Sequence, residues 1–238
     1  MPRLALAFFL LLASPLLPAW ELVPYTATYR FNLDNKLTGT ATRVLETRGG
    51  EQWRYRFSAT TSMATATETS DFRFNGRTVT PLRYQKQHKV LMISRKASVD
   101  YNWLTRQARG QRDERVSTYP LRAGSVDPLN FEIQMRRDLN DLGRLGGPYV
   151  LADAKRAEEQ KFAIDGEEVL DTPLGKLKTV RIKRLHDDPE RQTTFWLARD
   201  LGFLPARVMQ HDDTALYTID LLTYQPVRPA AATGRSAS

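Results

Sequence analysis

The chain has 238 residues, with 35 lysines and arginines against 27 acidic residues for a net charge of +8, and it contains no cysteine. The missing thiols exclude disulfides, thiolate metal centres, cysteine nucleophiles and a lipid anchor on an N-terminal cysteine, so burial of apolar surface must hold the fold. The basic excess suits anionic partners such as lipid head groups or wall polymers. The arginines are nevertheless spread between apolar residues, as on solvated sheet faces, and no nucleic-acid reader motif is present, so no nucleic-acid partner is expected.

Residues 1–19 read as a secretory signal peptide. Arg3 supplies the positive start, Leu4 to Leu12 is an unbroken apolar run, and Ser14 to Ala19 is a Pro-broken segment ending in a small residue. The apolar run is short of the ~20 residues a spanning helix needs. Cleavage is expected after Ala19, giving a periplasmic protein that begins at Trp20, has no transmembrane segment and carries no lipid anchor.

From Tyr25 onward, alternation with a period of two dominates. Tyr25, Ala27, Tyr29, Phe31 and Leu33 share one face, and Trp53, Tyr55, Phe57 and Ala59 alternate with Arg54, Arg56 and Ser58. Val99, Tyr101 and Trp103 repeat the pattern, as do Ala215, Tyr217, Ile219 and Leu221. Successive strand side chains point to opposite faces, so each run has one apolar and one polar side, as antiparallel strands packed on a core do. Gly49-Gly50, Asn75-Gly76, Thr172-Pro173-Leu174-Gly175 and Arg199–Gly202 supply turns between runs. A long meander of about ten strands twists until it curls.

One segment breaks the pattern. Asp127-Pro128 has the form of an N-cap followed by a proline at the first helical position, and the spacing predicts a helix over Asp127–Leu142. Phe131, Met135, Leu139 and Leu142 form its apolar stripe, flanked by Leu129 and Ile133, with Glu132, Arg136, Arg137, Asp138 and Asp141 on the wet side. Gly143, Gly146 and Gly147-Pro148 stop it. The expected fold is therefore mainly β: a strongly curved antiparallel meander, a half-open barrel, with one amphipathic helix packed on its concave face. A single domain spans residues 20–225, and residues 226–238 form a Pro/Ala/Ser-rich tail expected to be disordered.

No nucleophile elbow, zinc-protease motif, P-loop or dinucleotide fingerprint occurs, and no cofactor is expected. Of the three histidines, His88 lies in a basic strand and reads as a surface residue. His186-Asp187-Asp188 and His211-Asp212-Asp213 sit at two hairpin tips on one end of the sheet, so His186, Asp188, His211 and Asp213 are the candidate metal ligands. Tips two strands apart stand ~10 Å from each other, which disfavours a shared ion. Adjacent carboxylates at Glu158-Glu159 and Glu167-Glu168 face opposite ways on a strand and make no acid/base dyad by themselves.

The aromatics offer more. A curved sheet lined by large rings either closes over itself as core or leaves a cleft for an acyl chain. In the second case the ligand-binding residues are Tyr29, Trp53, Tyr55 and Phe57 from the sheet with Phe131 and Met135 from the helix, Tyr55 and Phe57 standing on the wall of a cleft between the N-terminal strands and the helix.

The order Tyr25-x-Ala-x-Tyr29, Gly39-x-Ala41, Trp53-x-Tyr55, Pro81-Leu82-x-Tyr84, Asp127-Pro128-Leu129 with Gln134, Gly166-Glu167, Thr172-Pro173-Leu174-Gly175 and Trp196-Leu197-Ala198-x-Asp200 resembles the bacterial envelope family called domain of unknown function 3108. One departure stands out: the family's helix start pairs an Asp with Leu-Ser, where this chain has Asp127-Pro128-Leu129-Asn130. The resemblance implies a periplasmic protein without an established activity. More distantly, the plan is similar to Lol-type lipoprotein carriers, which hold acyl chains in an apolar concavity. The reading that follows is a non-catalytic envelope protein that binds either a lipophilic ligand or another envelope component, with lipid or an envelope protein as partner. Its rivals are a hydrolase acting on cell-wall glycan or lipid, and a structural assembly factor docking a membrane complex.

Overall fold

The computed structural model describes residues 20–34, 36–211 and 215–227. In chain order the strands are β1 (Tyr25–Leu33), β2 (Leu37–Gly49), β3 (Gln52–Thr60), β4 (Ala64–Phe74), β5 (Val79–Val90), β6 (Ile93–Asn102), β7 (Gln107–Arg112) and β8 (Arg115–Pro120). The helix α1 (Phe131–Leu142) follows, and then come β9 (Tyr149–Ala152), β10 (Ala157–Thr172), β11 (Gly175–Leu185), β12 (Gln192–Ala198), β13 (Leu204–His211) and β14 (Leu216–Pro226). They form one antiparallel sheet in the order β8-β7-β6-β5-β4-β3-β2-β1-β14-β13-β12-β11-β10-β9. Two meanders thus run outward from the central β1–β14 pair, and the helix lies between them in sequence.

Among the described residues the chain forms the expected curved antiparallel sheet with a single α-helix. The described sheet has fourteen strands rather than about ten, because short polar strands such as β7 and β8 carry too few apolar residues to show alternation. β14 runs to Pro226, where the tail was expected to begin, and Val227 donates its amide to the Pro24 carbonyl at 2.7 Å. Residues 1–19, expected to be a signal peptide, and residues 228–238 lie outside the described residues.

The edge strands β8 and β9 are not paired with each other, so the barrel is not closed by a ladder. The seam is bridged in other ways. The Tyr101 hydroxyl of β6 donates to the Ala152 carbonyl at 2.6 Å, and the Tyr119 hydroxyl of β8 donates to the Asp153 carbonyl. Gly110 in β7 lies so close to the Ala154 backbone that a Cβ there would overlap its carbonyl. Val126, just before the helix, exchanges backbone hydrogen bonds with Val150 and Ala152 at 2.9 and 2.8 Å.

Two expectations about the helix are corrected. Regular helix begins at Phe131 with Asn130 as its N-cap, not at Asp127. Asp127 instead closes the preceding turn, accepting the amides of Leu129 and Asn130 at 2.8 and 2.7 Å, while the Asn130 side-chain oxygen accepts the Asp127 amide at 2.8 Å. The second correction concerns the wet side. Glu132, Arg136 and Asp138 are buried together with Phe131, Ile133, Met135 and Leu139, while Leu142 is 44% exposed. The sheet curls round the helix, so an amphipathic stripe is not enough, and the helix's charged residues must find partners inside.

Candidate functional site

Strand register arranges the inner face of the N-terminal meander in rows. The first runs Tyr25, Leu45, Tyr55, Ser70, Tyr84, Val99 and Gly110 across β1 to β7, and every member is buried. The second runs Ala27, Arg43, Phe57, Glu68, Lys86, Ala97, Arg112 and Arg115, and the third Tyr29, Ala41, Ala59, Ala66, His88 and Arg95. In both, burial fades along the row: Ala27, Arg43, Tyr29 and Ala41 are buried, while Lys86, His88, Arg95, Arg112 and Arg115 are exposed. The inner surface is core at one end and solvent-facing at the other.

At the covered end the helix meets the sheet through ionised and phenolic groups. Arg43 and Glu132 form an ion pair with side chains 8% and 3% exposed. The Tyr55 hydroxyl receives a hydrogen bond from Arg43 at 2.7 Å and donates to Glu132 at 2.8 Å. The Tyr25 hydroxyl donates to Tyr55 at 3.0 Å and accepts from Arg136 at 3.2 Å; Arg136 also donates to the Gly202 carbonyl at 2.9 Å. Burial raises Tyr25, Tyr29 and Tyr55 above the usual phenol range, so all three stay protonated, Tyr25 and Tyr55 as donors in this network and Tyr29 with its hydroxyl unpartnered among the described residues. Burial is the largest influence on Arg43 and opposes its charge, but Glu132 and the oxygens of Tyr55, Tyr29 and Tyr25 together outweigh it and hold the guanidinium more firmly charged than in water.

Each ligand-wall candidate can now be placed. Tyr29, Tyr55 and Met135 are buried in this interior, and the guanidinium of Arg43 lies 5.7 Å from the Tyr29 ring, 5.9 Å from Tyr55 and 5.5 Å from Phe57. Phe57 and Trp53 are half-buried. Phe131 faces the other meander, stacked on Phe162 with centroids 5.7 Å apart and edge-on to Phe195 at 6.0 Å. Tyr29, Tyr55 and Phe57 are thus gathered round Arg43, while Phe131 packs against the other meander. Of the metal candidates, His186 is hydrogen-bonded to the Thr193 hydroxyl at 3.0 Å and His211 to the Glu190 carbonyl at 3.1 Å. The Asp188 side chain accepts the Glu190 amide at 3.0 Å, and Asp213 lies outside the described residues. Among the described residues no three His, Asp or Glu side chains gather as a metal-holding group.

The concavity that is open lies at the uncovered end. A groove of about 910 Å³ runs between the inner faces of β5–β8 and the seam, with Tyr84, Ala97, Pro128 and Ala154 as its apolar lining. Six cations surround it, Lys86, Arg95, Lys96, Arg112, Arg115 and Lys155, against three carboxylates, Asp113, Glu114 and Asp153. Lys86 pairs with Glu68 at 3.2 Å and Arg95 with Asp113 at 3.3 Å, whereas Arg112, Arg115 and Lys155 have no ion pair among the described residues. The basic strand segment and Arg112 and Arg115 were visible in sequence as scattered charge, and only the register brings them together.

Beneath the groove, Asp127 is fully buried. Burial pushes it up to about 7, only partly offset by the Ser70 hydroxyl at 2.5 Å and the amides of Asn130 and Leu129. Both its oxygens accept hydrogen bonds, Oδ2 from Ser70 and Oδ1 from the two amides, so it anchors the helix start.

A family model described as "Protein of unknown function (DUF3108)" matches residues 24–221. The chain belongs to that family. Among solved structures, the DUF3108 chain is similar to the crystal structure of a β-barrel-like protein of domain of unknown function DUF1849 from Brucella abortus. The two share 13% sequence identity at a TM-score of 0.59, over 88% of this chain and 100% of that one. At that identity the likeness is one of fold. A search of curated proteins finds no match.

Two predictions follow from the interior. Glu132→Ala leaves Arg43 buried without its counter-ion and should cost about 3–5 kcal/mol in urea denaturation, whereas the double variant Arg43→Leu/Glu132→Leu should recover more than half of the loss. Because the folded pKa of Asp127 lies above its ordinary 3.8, protonation favours the folded state. Stability from this group is complete below the ordinary value and is lost as pH rises toward 7. Asp127→Asn should remove that slope, seen as a smaller difference between midpoints at pH 4 and pH 7 than in wild type.

Proposed function

We propose that this DUF3108 protein is a non-catalytic binding protein of the bacterial envelope that holds an anionic amphiphile in the β5–β8 groove. The observation that carries this reading is the uncovered end of the inner face, where apolar lining from Tyr84, Ala97, Pro128 and Ala154 is bordered by unpaired Arg112, Arg115 and Lys155. An apolar floor with a few convergent charges suits a ligand with an apolar part and a carboxylate or phosphate. The groove lies on the next section of the rows that carry Tyr55 and Phe57. Hydrolysis is less well supported, because most of the nearby carboxylates are engaged: Glu68 by Tyr84 and Lys86, Asp113 by Arg95 and the Lys96 amide, Asp153 by the amides of Lys155 and Arg156. Glu114 alone is left at the groove, and acid/base hydrolysis by carboxylates needs a pair.

A fluorescent fatty acid should bind the protein and its methyl ester should bind more weakly. The double variant Arg112→Glu/Arg115→Glu should weaken fatty-acid binding by about tenfold or more, as expected when charge-assisted contacts are removed, and Lys176→Glu, at the start of β11 in the other meander, should leave it unchanged. No binding, or equal binding of acid, ester and variants, overturns the reading.

Export belongs to the same proposal. The main-chain nitrogen of Trp20 donates to Asp141 at 2.9 Å, and Asp141 also accepts from Arg137 at 3.0 Å. The Trp20 ring lies edge-on to Phe74 with centroids 6.0 Å apart, beneath the guanidinium of Arg136 at 5.5 Å. Cleavage after Ala19 turns that nitrogen into an ammonium and the contact into a charge-assisted bond. Sequencing of protein from a periplasmic extract should begin at Trp20. Asp141→Asn should then cost about 0.5–1 kcal/mol in the processed protein and less in the uncleaved chain. Intact protein confined to the cytoplasm would sink the export reading.

A further inference from the structure

The turn joining β5 to β6 presents apolar side chains where a turn would ordinarily be polar. Val90, Leu91, Met92 and Ile93 are 49, 64, 90 and 65% exposed, and Met63 on the adjacent β3–β4 turn is 53% exposed. The Leu91 amide donates to the Met63 carbonyl at 2.9 Å, so the two turns make one apolar cap. Leu91 sits at φ 52°, a left-handed conformation that favours Gly, Asn or Asp and strains a leucine. Strain is being held at a projecting end, in a residue whose side chain adds little to the core.

The strands beneath the cap are basic. From Gln85 to Ala97 the chain carries Lys86, Lys89, Arg95 and Lys96 and no carboxylate. Lys86 and Arg95 are paired with Glu68 and Asp113, while Lys89 and Lys96 have no ion pair among the described residues. They stand one residue before Val90 and three after Ile93, roughly 3–10 Å behind the cap at strand rise. An interfacial segment buries its apolar face about 5–10 Å into the head-group and acyl boundary, so a cap of this depth puts both ammonium groups at the level of the phosphates. A protein partner would also accept apolar residues, but a paired cap with a cationic collar matches an anionic bilayer in both layers.

We propose that the β5–β6 turn is a membrane-docking tip that inserts Leu91 and Met92 into the interface of an anionic phospholipid bilayer. The proposal rests on the tip and its collar and does not require a ligand in the groove. Because the chain lacks cysteine, Met92→Cys gives a single labelling site for an environment-sensitive fluorophore in the full chain. Vesicles containing phosphatidylglycerol should shift the probe's emission to the blue, less so as salt is raised. Pure phosphatidylcholine vesicles should shift it little. The same probe at Leu104→Cys, on the opposite end of β6, should not respond. Leu91→Gly in the labelled protein should weaken the response while leaving the melting temperature unchanged or higher, since it relieves the left-handed strain. Lys89→Glu/Lys96→Glu should weaken it also.

Absence of a shift at position 92 with phosphatidylglycerol vesicles overturns the proposal. So does an equal shift with phosphatidylcholine, or an equal response at positions 92 and 104. A vesicle response lost in Arg112→Glu/Arg115→Glu but retained in Leu91→Gly would place lipid contact in the groove and overturn the tip. A tip that cross-links to a protein but meets no vesicle would overturn it in favour of a protein partner.

Discussion

The ion pair between Arg43 on β2 and Glu132 on the helix joins the two parts of this fold, and the surrounding groups are arranged to keep it. Taking both charges from water costs several kcal/mol each, which the attraction offsets only with well-placed hydrogen bonds. Tyr55 supplies one to each side, accepting from the arginine and donating to the carboxylate. Tyr25 extends the chain to Arg136 and thence to the Gly202 carbonyl, so β1, β3, the helix and the turn before β13 are held in one network. Phenylalanine at these places would bury as much apolar area and leave the charges short of partners. The tyrosines are a requirement set by the helix's charges, and they explain why an interior rich in rings is not an empty greasy pocket.

The second half of the helix repeats the arrangement more loosely. Asp138 accepts from Tyr149 at 2.8 Å, from Gln134 at 3.0 Å and from Arg137 at 3.1 Å, and Gln134 in turn accepts the Val79 amide at 2.9 Å. Tyr149 belongs to β9 and Val79 to β5, so this cluster ties the helix to both meanders. With the Tyr101 and Tyr119 hydroxyls on β9 and the turn after it, side chains do at the seam what a ladder would do in a closed barrel. Closure by side chains leaves a gap where no side chain reaches, and the groove lies along that gap.

Much of this architecture was legible. Alternation located β1, β3 and the ends of the chain's other long strands, and Gly49-Gly50, Asn75-Gly76 and Thr172–Gly175 marked real turns, because turn chemistry and pleat are local. The helix was found by its spacing, but its surroundings were not. Glu132, Arg136 and Asp138 look like a solvated face because periodicity records chemical type and says nothing of what a curving sheet brings to the far side. The same limit applied to the site. Tyr55 and Phe131 share the label aromatic, yet one belongs to a polar network and the other to a stack with Phe162 and Phe195. Arg112 and Arg115 gained meaning only through register, which set Arg112 opposite Ala97, Arg115 opposite Arg112 and both in line with Lys86.

That register also explains how one sheet serves as both core and open surface. Along the second inner row the side chains pass from Ala27 and Arg43 through Phe57 and Glu68 to Lys86, Ala97, Arg112 and Arg115. Cations occupy both ends, but the buried Arg43 faces a helix carboxylate while Arg112 and Arg115 face solvent. The difference is coverage. Twelve helical residues at 1.5 Å rise reach about 18 Å, while five strands at 4.8 Å spacing already span more than that. The helix end, fixed by Glu132 against Arg43, cannot also cover β6 to β8. Beyond its reach the first row stays buried through Val99 and Gly110, while the second and third rows carry polar inner faces that meet solvent, and a curved polar face with a few apolar residues at its base is a groove. The open concavity is thus a geometric consequence of where the buried ion pair anchors the helix, and its cationic character is what the chain has added to that consequence.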